Sequence, residues 1–293
     1  MTSTASHKQF DTALIIGVGL IGGSLGLALK ANGQVKKVLG VGRSKANLDE
    51  AIKLGAIDEI VDLEVGVSRA DLIVVCVPVA QTQAILAQVL PNLKPDAVIT
   101  DVGSTKMDVI LAAKDALAEK VSQFIPAHPI AGGAQHGASA ARADLFNGRQ
   151  VVLCPLQENS QVNVQAIEAL WKSVGANLFS MSAVQHDAVF ASVSHLPHVL
   201  SYALMLQVAN AEDSSTKFRH AGAGFRDFTR IAASSPEMWR DICLANSGAV
   251  LKELDNYLLV VKHLQELIKQ KDGANLEKLF SKASESRKQW ELG

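Results

Sequence analysis

Short apolar runs alternate with amphipathic stretches along the first 180 residues. The run Ala70–Val77 is apolar nearly throughout, which is typical of a strand covered on both faces of a sheet. The predicted strands are Ala13–Ile16, Val38–Val41, a short strand near Ile60, Ala70–Val77, Ala97–Asp101, Phe124–Ile125, Val151–Leu153 and Asn177–Phe179. The predicted helices are Leu20–Ala31, Ala46–Leu54, Gln81–Leu90, Lys106–Glu119 and Val162–Val174. This alternation predicts an α/β fold with a doubly wound parallel sheet.

The pattern changes after about Met181, where apolar residues recur only at helical spacing. The predicted helices there are Ala183–Ala211, Gly248–Ile268 and Leu276–Trp290. We therefore predict two domains, an α/β domain over residues 1–181 and an all-helical domain over residues 182–293. One apolar stripe runs along the second of these helices: Leu251, Leu254, Leu258, Val261, Leu264 and Ile268. We expect this stripe to be shared between the core and a second subunit, so that the chain forms a homodimer.

Composition narrows the class of protein. The chain has 293 residues, 48% of them hydrophobic and 19% charged, with a net charge of −1. No global basic field would hold nucleic acid or an anionic membrane, so a small-molecule ligand is expected. The three cysteines form no CxxC pair, and no signal segment opens the chain, so we expect a cytoplasmic protein.

A glycine motif follows the first predicted strand. Gly17, Gly19 and Gly22 have the GxGxxG spacing, and they lie at the N-terminus of the first predicted helix. In such a motif the first glycine permits the turn, the second lets a pyrophosphate approach the main chain, and the third allows close helix–strand packing. We therefore predict a dinucleotide site at these glycines and at Leu20 and Ile21, where the helix N-terminus favours an anion.

The end of the second strand bears on the choice of cofactor. An NAD site usually has an acid about 20 residues after the glycine motif, to bind the ribose hydroxyls. This chain has Gly42, Arg43, Ser44 and Lys45 instead. Because Arg43 and Ser44 can bind a 2′-phosphate, we predict NADP, with NAD as the alternative. The competing interpretation is that these are solvated charges at a strand end.

Further strand ends point towards the same crevice, because ligands of doubly wound sheets bind beyond the carboxyl ends of the strands. Val77 and Pro78 follow one strand and complete the predicted cofactor contacts. Ser104 and His128 follow the next two strands and are expected near the reacting carbon. A neutral histidine suits removal of a hydroxyl proton during hydride transfer, and a serine hydroxyl can support it. The competing interpretation is a structural histidine.

Two motifs in the helical half carry further candidates. In Val193–His198, His195 and His198 share a helix face, and Pro197 is expected to kink the helix. No acid or cysteine nearby completes a ligand set, so no metal site is predicted. The stretch Gly222–Arg230 reads as a glycine-rich turn whose arginines could clamp a carboxylate. Solvated arginines on a surface turn are the competing interpretation.

Taken in order, these motifs resemble one enzyme family over about residues 13 to 265. The motifs are GVGLIGGSLGLAL, DVGSTK, PAHPIAGG, DLFNGRQVVLCP, VSHLPH and GFRDFTRIAASSPEMWRDI. They are similar to those of the prephenate and arogenate dehydrogenases of tyrosine biosynthesis. The resemblance implies a dinucleotide-binding domain, a helical dimerisation domain and the oxidative decarboxylation of a cyclohexadiene, in which hydride leaves to the nicotinamide and carbon dioxide departs.

The same resemblance implies roles for individual residues. His128 matches the histidine that hydrogen-bonds the ring hydroxyl, and Ser104 matches the serine that supports it. Arg230 matches the arginine that binds the ring carboxylate, and His195 matches a second histidine near the substrate. Trp239 matches a residue close to the site whose role stays open.

One loop departs from the family pattern. Many prephenate-using members have an acid and a lysine after the HPIAG segment, where this chain has Gly133, Ala134, Gln135 and His136. Gln135 and His136 are therefore the candidates for meeting the substrate side chain, and a neutral glutamine gives no strong electrostatic preference. Arogenate, or both substrates, is the alternative to prephenate. A 2-hydroxy acid or imine reductase and a non-catalytic NADP-binding dimer are further alternatives, which His128, Ser104 and Arg230 together disfavour.

Overall fold

The computed structural model describes residues 9–133 and 135–291. The chain folds into two compact units, and the boundary between them in sequence lies between Asn246 and Ser247. The first unit contains both sheets and most of the helices, and the second consists of two helices.

The main sheet of the first unit has six parallel strands in the order β3-β2-β1-β4-β5-β6. Its strands are β1 Thr12–Ile16, β2 Lys37–Val41, β3 Glu59–Ile60, β4 Leu72–Val75, β5 Val98–Asp101 and β6 Phe124–Ile125. The helices in this part are α1 Leu20–Ala31, α2 Lys45–Lys53, α3 Leu63–Arg69, α4 Thr82–Val89, α5 Met107–Leu117 and α6 Gln161–Ser173. The strand order is that of a dinucleotide-binding sheet, and the predicted fold class is confirmed.

Two apolar cores lie on opposite faces of this sheet, because successive side chains of a strand point to opposite faces. Ile15 packs in one core with Leu25 and Leu29 of α1, whereas Leu14 and Ile16 pack in the other. The helix α3 was not predicted. It has only seven residues, and its Gly66 lies so close to Leu14 that an added Cβ would be 2.7 Å from Leu14 Cδ1.

A second sheet of three strands was missing from the prediction. It consists of β7 Ala127–Pro129, β8 Gln150–Leu153 and β9 Asn177–Ser180, with β7 antiparallel to β8 and β8 parallel to β9. His128 follows the end of β6, as predicted, but it also lies within a strand that was not predicted, β7, opposite Val152. Pro126 explains the change of sheet, because it has no N–H to continue the β6 ladder.

The rest of the first unit is helical, as predicted. It contains α7 Ala183–Phe190, a π-helical segment Ala191–His195, α8 Leu196–Ala209, α9 Ser214–Arg219, α10 Ala223–Thr229 and α11 Pro236–Ala245. The π-helical turn precedes Pro197, which cannot donate the hydrogen bond that an α-helix requires there. Residues 223–229 form a helix, not the predicted glycine-rich turn; Gly222 lies before it, at the N-cap, and Arg230 follows it, at the C-cap.

The continuous helical run Ala183–Ala209 is long and apolar enough to cross a membrane by length and composition alone, with 22% of its most apolar window buried. A single such helix is weak evidence, because helices of soluble proteins also meet this criterion. Buried histidine and aspartate side chains lie within the run, at His186, Asp187 and His195.

The second unit is a pair of helices, α12 Ser247–Gln270 and α13 Gly273–Glu291. Lys271 has a φ of 56° between them, and the Asp272 carboxylate accepts a hydrogen bond from the Asn275 N–H at 3.1 Å, at the start of α13. Several side chains of the predicted apolar stripe are exposed in the single chain, with 60% exposure at Leu251, 48% at Leu258 and 61% at Ile268.

Candidate active site

The glycine turn between β1 and α1 has the shape that a pyrophosphate needs. Gly17 has a φ of 98°, and a Cβ there would lie 2.4 Å from the Cys76 carbonyl oxygen. A Cβ on Gly22 would lie 2.4 Å from the Gly17 carbonyl oxygen, whereas one on Gly19 would have no neighbour within 4 Å among the described residues. The first and third glycines thus permit close packing, and the second leaves open space beside the main chain.

The N-terminus of α1 adds an electrostatic contribution. Gly19 is its N-cap, no described side chain caps the helix, and no acid lies in its first turn. The first N–H groups of a helix, here those of Leu20, Ile21 and Gly22, have no intrahelical partner and favour an anion. The turn therefore fits the diphosphate of a dinucleotide.

Asn47, which was not predicted as a site residue, holds this turn in place. Asn47 of α2 donates from Nδ2 to the Val18 carbonyl at 2.6 Å, and its Oδ1 accepts from the Ala138 N–H at 2.7 Å. Ser24 of α1 accepts from the Arg142 N–H at 3.0 Å. The segment after the PAHPIAGG motif is thereby tied to the glycine turn. Nothing in the local sequence around Asn47 predicts so distant a pairing.

The end of β2 places Gly42, Arg43 and Ser44 on the surface. The Ser44 hydroxyl accepts a hydrogen bond from the Asn47 N–H at 3.3 Å and so caps α2. Val77 and Pro78, at the end of β4, are half-buried. The glycine turn and these two segments follow the ends of the neighbouring strands β1, β2 and β4, where a doubly wound sheet binds its ligand.

His128 lies in β7 and is 8% exposed. Its Nδ1 is 2.8 Å from His186 Nε2, and its ring meets the Phe190 ring edge-on, with centroids 4.8 Å apart. Burial holds the pKa of His128 well below its usual value, and the nearby His186, Lys106 and His195 lower it further. His128 is therefore a neutral imidazole at physiological pH.

His186 and Asp187, both on α7, were not predicted as site residues. His186 Nδ1 lies 2.8 Å from Asp187 Oδ1. Asp187 also accepts the N–H groups of Lys106 and Met107, each at 2.9 Å, and so binds the start of α5. Burial opposes ionisation of Asp187, but these hydrogen bonds outweigh it and keep its pKa below the usual value. The sequence signal from which they could have been found was a histidine next to an aspartate within a largely apolar helix.

An ion pair between Lys106 and Asp101 fixes β7 beside β5. Both side chains are buried. Lys106 Nζ also donates to the Ala127 carbonyl at 2.8 Å, and Asp101 Oδ1 accepts from the Ala127 N–H at 3.0 Å. The pair thus positions the residue before His128. Ser104 is half-buried in the loop between the two charged residues.

His195, at the end of the π-helical segment, is 1% exposed. The side-chain nitrogen of Asn246 donates to the Asp187 carbonyl at 2.8 Å and lies 3.2 Å from His195 Nδ1. Because a carbonyl only accepts, the amide NH₂ must face both groups, and Nδ1 of His195 is the acceptor. Burial lowers the pKa of His195 to about 4, against an opposing contribution from the main chain of Ser104.

Trp239 stacks on His198, and the charge of Arg230 acts on the same histidine. The rings of His198 and Trp239 are stacked with centroids 3.5 Å apart, and His198 Nδ1 is bonded to the Ser194 carbonyl at 2.9 Å. Burial lowers the pKa of His198, and the charge of Arg230 contributes to the shift. Arg230 itself is exposed. The indole of Trp239 meets His195 edge-on at 6.0 Å, so this group adjoins the buried histidines.

Gln135 and His136 are not joined to the buried histidines in this structure. Both side chains are exposed, and no hydrogen bond or ring contact joins them to the histidines in the part of the chain that the structure describes. Ala134 is outside the described residues. Within residues 9–133 and 135–291, no group of three or more His, Cys, Asp or Glu side chains could hold a metal ion.

Comparison with known proteins bears directly on this site. The prephenate dehydrogenase nucleotide-binding domain matches residues 25–180, and the prephenate dehydrogenase dimerization domain matches residues 182–282. This chain belongs to the prephenate dehydrogenase family. It is an oxidoreductase that uses a nicotinamide cofactor.

Three relatives illustrate the match. The chain is 36% identical over 284 residues to prephenate dehydrogenase of Bacillus subtilis strain 168, covering 96% of this chain and 76% of the relative. It is 36% identical over 281 residues to cyclohexadienyl dehydrogenase of Zymomonas mobilis, covering 95% of each. The crystal structure of Aquifex aeolicus prephenate dehydrogenase with hydroxyphenyl propionate and NAD⁺ superposes with a TM-score of 0.90 at 31% identity, covering 96% of this chain and 99% of that one.

Proposed function

We propose that this chain oxidises and decarboxylates prephenate to 4-hydroxyphenylpyruvate, and that His128 takes the ring hydroxyl proton. The observation that carries the proposal is the buried, neutral imidazole of His128 in β7, a strand held beside β5 of the six-stranded parallel sheet by Asp101 and Lys106. A neutral histidine can accept a proton as the ring C–O bond gains double-bond character. Loss of carbon dioxide then leaves an aromatic ring, which makes the step effectively irreversible.

Several residues would hold the cofactor and substrate. Gly17, Gly19 and Gly22, with the N–H groups at the start of α1, would bind the diphosphate. The nicotinamide, once bound, would accept the hydride. Arg230 would bind the ring carboxylate, since a guanidinium binds carboxylates with two hydrogen bonds. Its charge acts on the pKa of His198, which is stacked on Trp239, and this supports a position near the histidine group.

Other assigned roles stay predictions. Ser104 is proposed to support His128, and the contribution of its main chain to the pKa of His195 supports a position of this loop close to that ring. On the family resemblance, we also propose that four further residues contact the substrate: His195, Gln135, His136 and Trp239.

We further propose that the cofactor is NADP. The exposed Arg43 beside Gly42 supports this choice, because no acid at that position would repel a 2′-phosphate. A homodimer formed through the helical domain, residues 182–293, is likewise proposed. The matched dimerization domain and the exposed apolar side chains of α12 support it.

A single assay tests the substrate and the cofactor together. Purified protein is given prephenate or arogenate, each with NAD or NADP, and reduced cofactor is followed by absorbance. Prephenate with NADP is expected to react with the highest kcat/KM. Reaction of arogenate alone would contradict the substrate proposal, and a clear preference for NAD would contradict the cofactor proposal.

The variant Arg43→Ala sharpens the cofactor test. It should lower kcat/KM for NADP by about tenfold or more and leave the value for NAD nearly unchanged, because only NADP carries the extra phosphate. Lys45→Ala is the matched control, since it removes a neighbouring exposed cation. Equal losses of kcat/KM for NADP and NAD would show that Arg43 contributes only a non-specific positive charge and does not bind the 2′-phosphate.

A further inference from the structure

The side chains of His128, His186 and Asp187 form one continuous chain of hydrogen bonds. His128 Nδ1 is 2.8 Å from His186 Nε2, and His186 Nδ1 is 2.8 Å from Asp187 Oδ1. The relative exposures are 8% for His128, 0% for His186 and 4% for Asp187. In a neutral imidazole one nitrogen donates and the other accepts, so the protonation of each ring constrains the next.

The direction of each hydrogen bond in this series follows from the state of Asp187. Its Oδ1 accepts the Lys106 N–H and its Oδ2 accepts the Met107 N–H, both at 2.9 Å. Two main-chain donors stabilise the charged form, so Asp187 is a carboxylate and can only accept. His186 must therefore carry its proton on Nδ1. The opposite arrangement would set a lone pair of His186 against the carboxylate.

The remaining proton positions are then determined. With its proton on Nδ1, neutral His186 has a lone pair on Nε2, which faces His128 Nδ1. His128 Nδ1 must donate to it, which leaves the lone pair of His128 on Nε2. The packing of Phe190 against both imidazoles, with centroids 4.8 and 4.5 Å away, restricts rotation of the two rings.

We propose that His186 and Asp187 are positioning residues that fix the tautomer of His128, so that His128 presents the Nε2 lone pair as the base of the reaction. The inference rests on the proposed function, because it concerns the same proton transfer. It also links two parts of the sequence. His128 lies in the segment that matches the nucleotide-binding domain, whereas His186 and Asp187 lie in the segment that matches the dimerization domain.

The first test needs no turnover. In a protein labelled with ¹⁵N-histidine, the imidazole spectrum of the wild type should show His128 protonated at Nδ1 and bare at Nε2. The signals are assigned by their loss in His128→Asn. A proton on Nε2 of His128 in the wild type would overturn the inference. Absence of turnover of prephenate and arogenate by the wild type would instead contradict the proposed function.

The second test uses variants of His186. His186→Leu removes the acceptor and should lower kcat by about 10²-fold with cofactor binding unchanged, comparable in kind to the loss when a catalytic histidine is held in the wrong tautomer. His186→Gln keeps a side-chain carbonyl that can accept the hydrogen bond from His128 Nδ1. Measured as log kcat, it should recover at least about a third of the loss seen in His186→Leu. The exposed His220→Leu is the matched control and should behave as the wild type.

A merely structural role predicts a different outcome. It would lower the melting temperature of His186→Leu but leave the tautomer of His128 and the kcat per folded molecule unchanged, which would overturn the inference. If His186→Leu does not fold, His186→Gln decides, because a wild-type kcat combined with a changed tautomer of His128 would equally refute the link between tautomer and rate.

Discussion

The glycine turn and the buried histidine group have parts in the same proposed reaction but are built in different ways. The turn consists of neighbouring residues, Gly17 to Gly22, and it offers main-chain N–H groups and open space. The histidine group joins side chains that are far apart in sequence, with separations of 58 positions from His128 to His186 and 81 from Lys106 to Asp187. In the proposed function the turn would bind by its shape, whereas the histidines would act through proton positions that burial and distant partners impose.

The difference shows how each region can fail. A change in the glycine turn acts locally, because one added methyl group either fits or meets main chain. A change in the histidine group alters its neighbours too, because each ring sets the protonation of the next. Mutations in the two regions should therefore have separable effects, of which the largest is expected at the base itself.

Replacement of His128 by Asn should remove the base and leave the cofactor site intact. We expect kcat to fall on the order of 10³-fold, within the range for loss of a general base. Cofactor affinity, measured by fluorescence titration, should stay within about twofold of the wild type. Near-normal turnover would contradict the role of His128, and loss of cofactor binding would mean that the two regions are not separable.

Replacement of Arg230 by Ala should act on the substrate more than on the proton transfer. We expect KM to rise by about 10- to 100-fold, because the ring carboxylate loses a charge-assisted, two-point hydrogen bond. Arg230→Lys keeps the positive charge but cannot make two parallel hydrogen bonds to a carboxylate. Its KM should therefore lie between those of the wild type and Arg230→Ala. An unchanged KM in Arg230→Ala would place the carboxylate elsewhere.

The buried histidines should make the protein less stable in acid. His195 has a folded pKa of about 4 against an ordinary value of 6.5. The unfolded chain therefore binds more protons below pH 6.5, so stability is complete above that pH and is lost as the pH falls towards 4. From His195 alone, the free energy of unfolding should drop by about 2 kcal/mol between pH 7.5 and 5.

Burial also lowers the pKa values of His128, His186 and His198, so their contributions have the same sign. Urea unfolding at several pH values measures the slope. His195→Gln should flatten it, whereas the exposed His263→Gln should not. A stability that is constant from pH 7.5 to 5 would show that these groups are not buried as neutral imidazoles.

Two glycine variants separate binding from folding within the turn. Gly19→Ala puts a methyl group into open space, so the melting temperature should be unchanged while the KM for the cofactor rises by about tenfold, because the diphosphate can no longer approach. Gly22→Ala sets its Cβ against the Gly17 carbonyl and should lower the melting temperature. Unfolding of Gly19→Ala, or normal cofactor binding by it, would contradict this division.

Prediction from sequence succeeded where the signal was local. The parallel strands and their helices follow from short apolar runs, and the glycine motif from its spacing beside a strand. Prediction was wrong for β7, because three residues with two neighbouring prolines carry no periodicity from which a strand can be recognised. It also took residues 223–229 for a turn, because the glycines there suggested loops, although helical residues follow Gly222.

The candidate site shows the same division. The sequence by itself determined the class of fold, the dinucleotide turn and His128 as the candidate base. The first follows from the alternation of short apolar runs with amphipathic stretches, and the other two from residue types within single short segments. Only the tertiary structure added His186, Asp187 and Asn246, and with them the positions of the protons on His128 and His195. The reason is physical: a histidine side chain does not determine its own tautomer, which is set by whichever donor or acceptor the folded chain places beside each nitrogen.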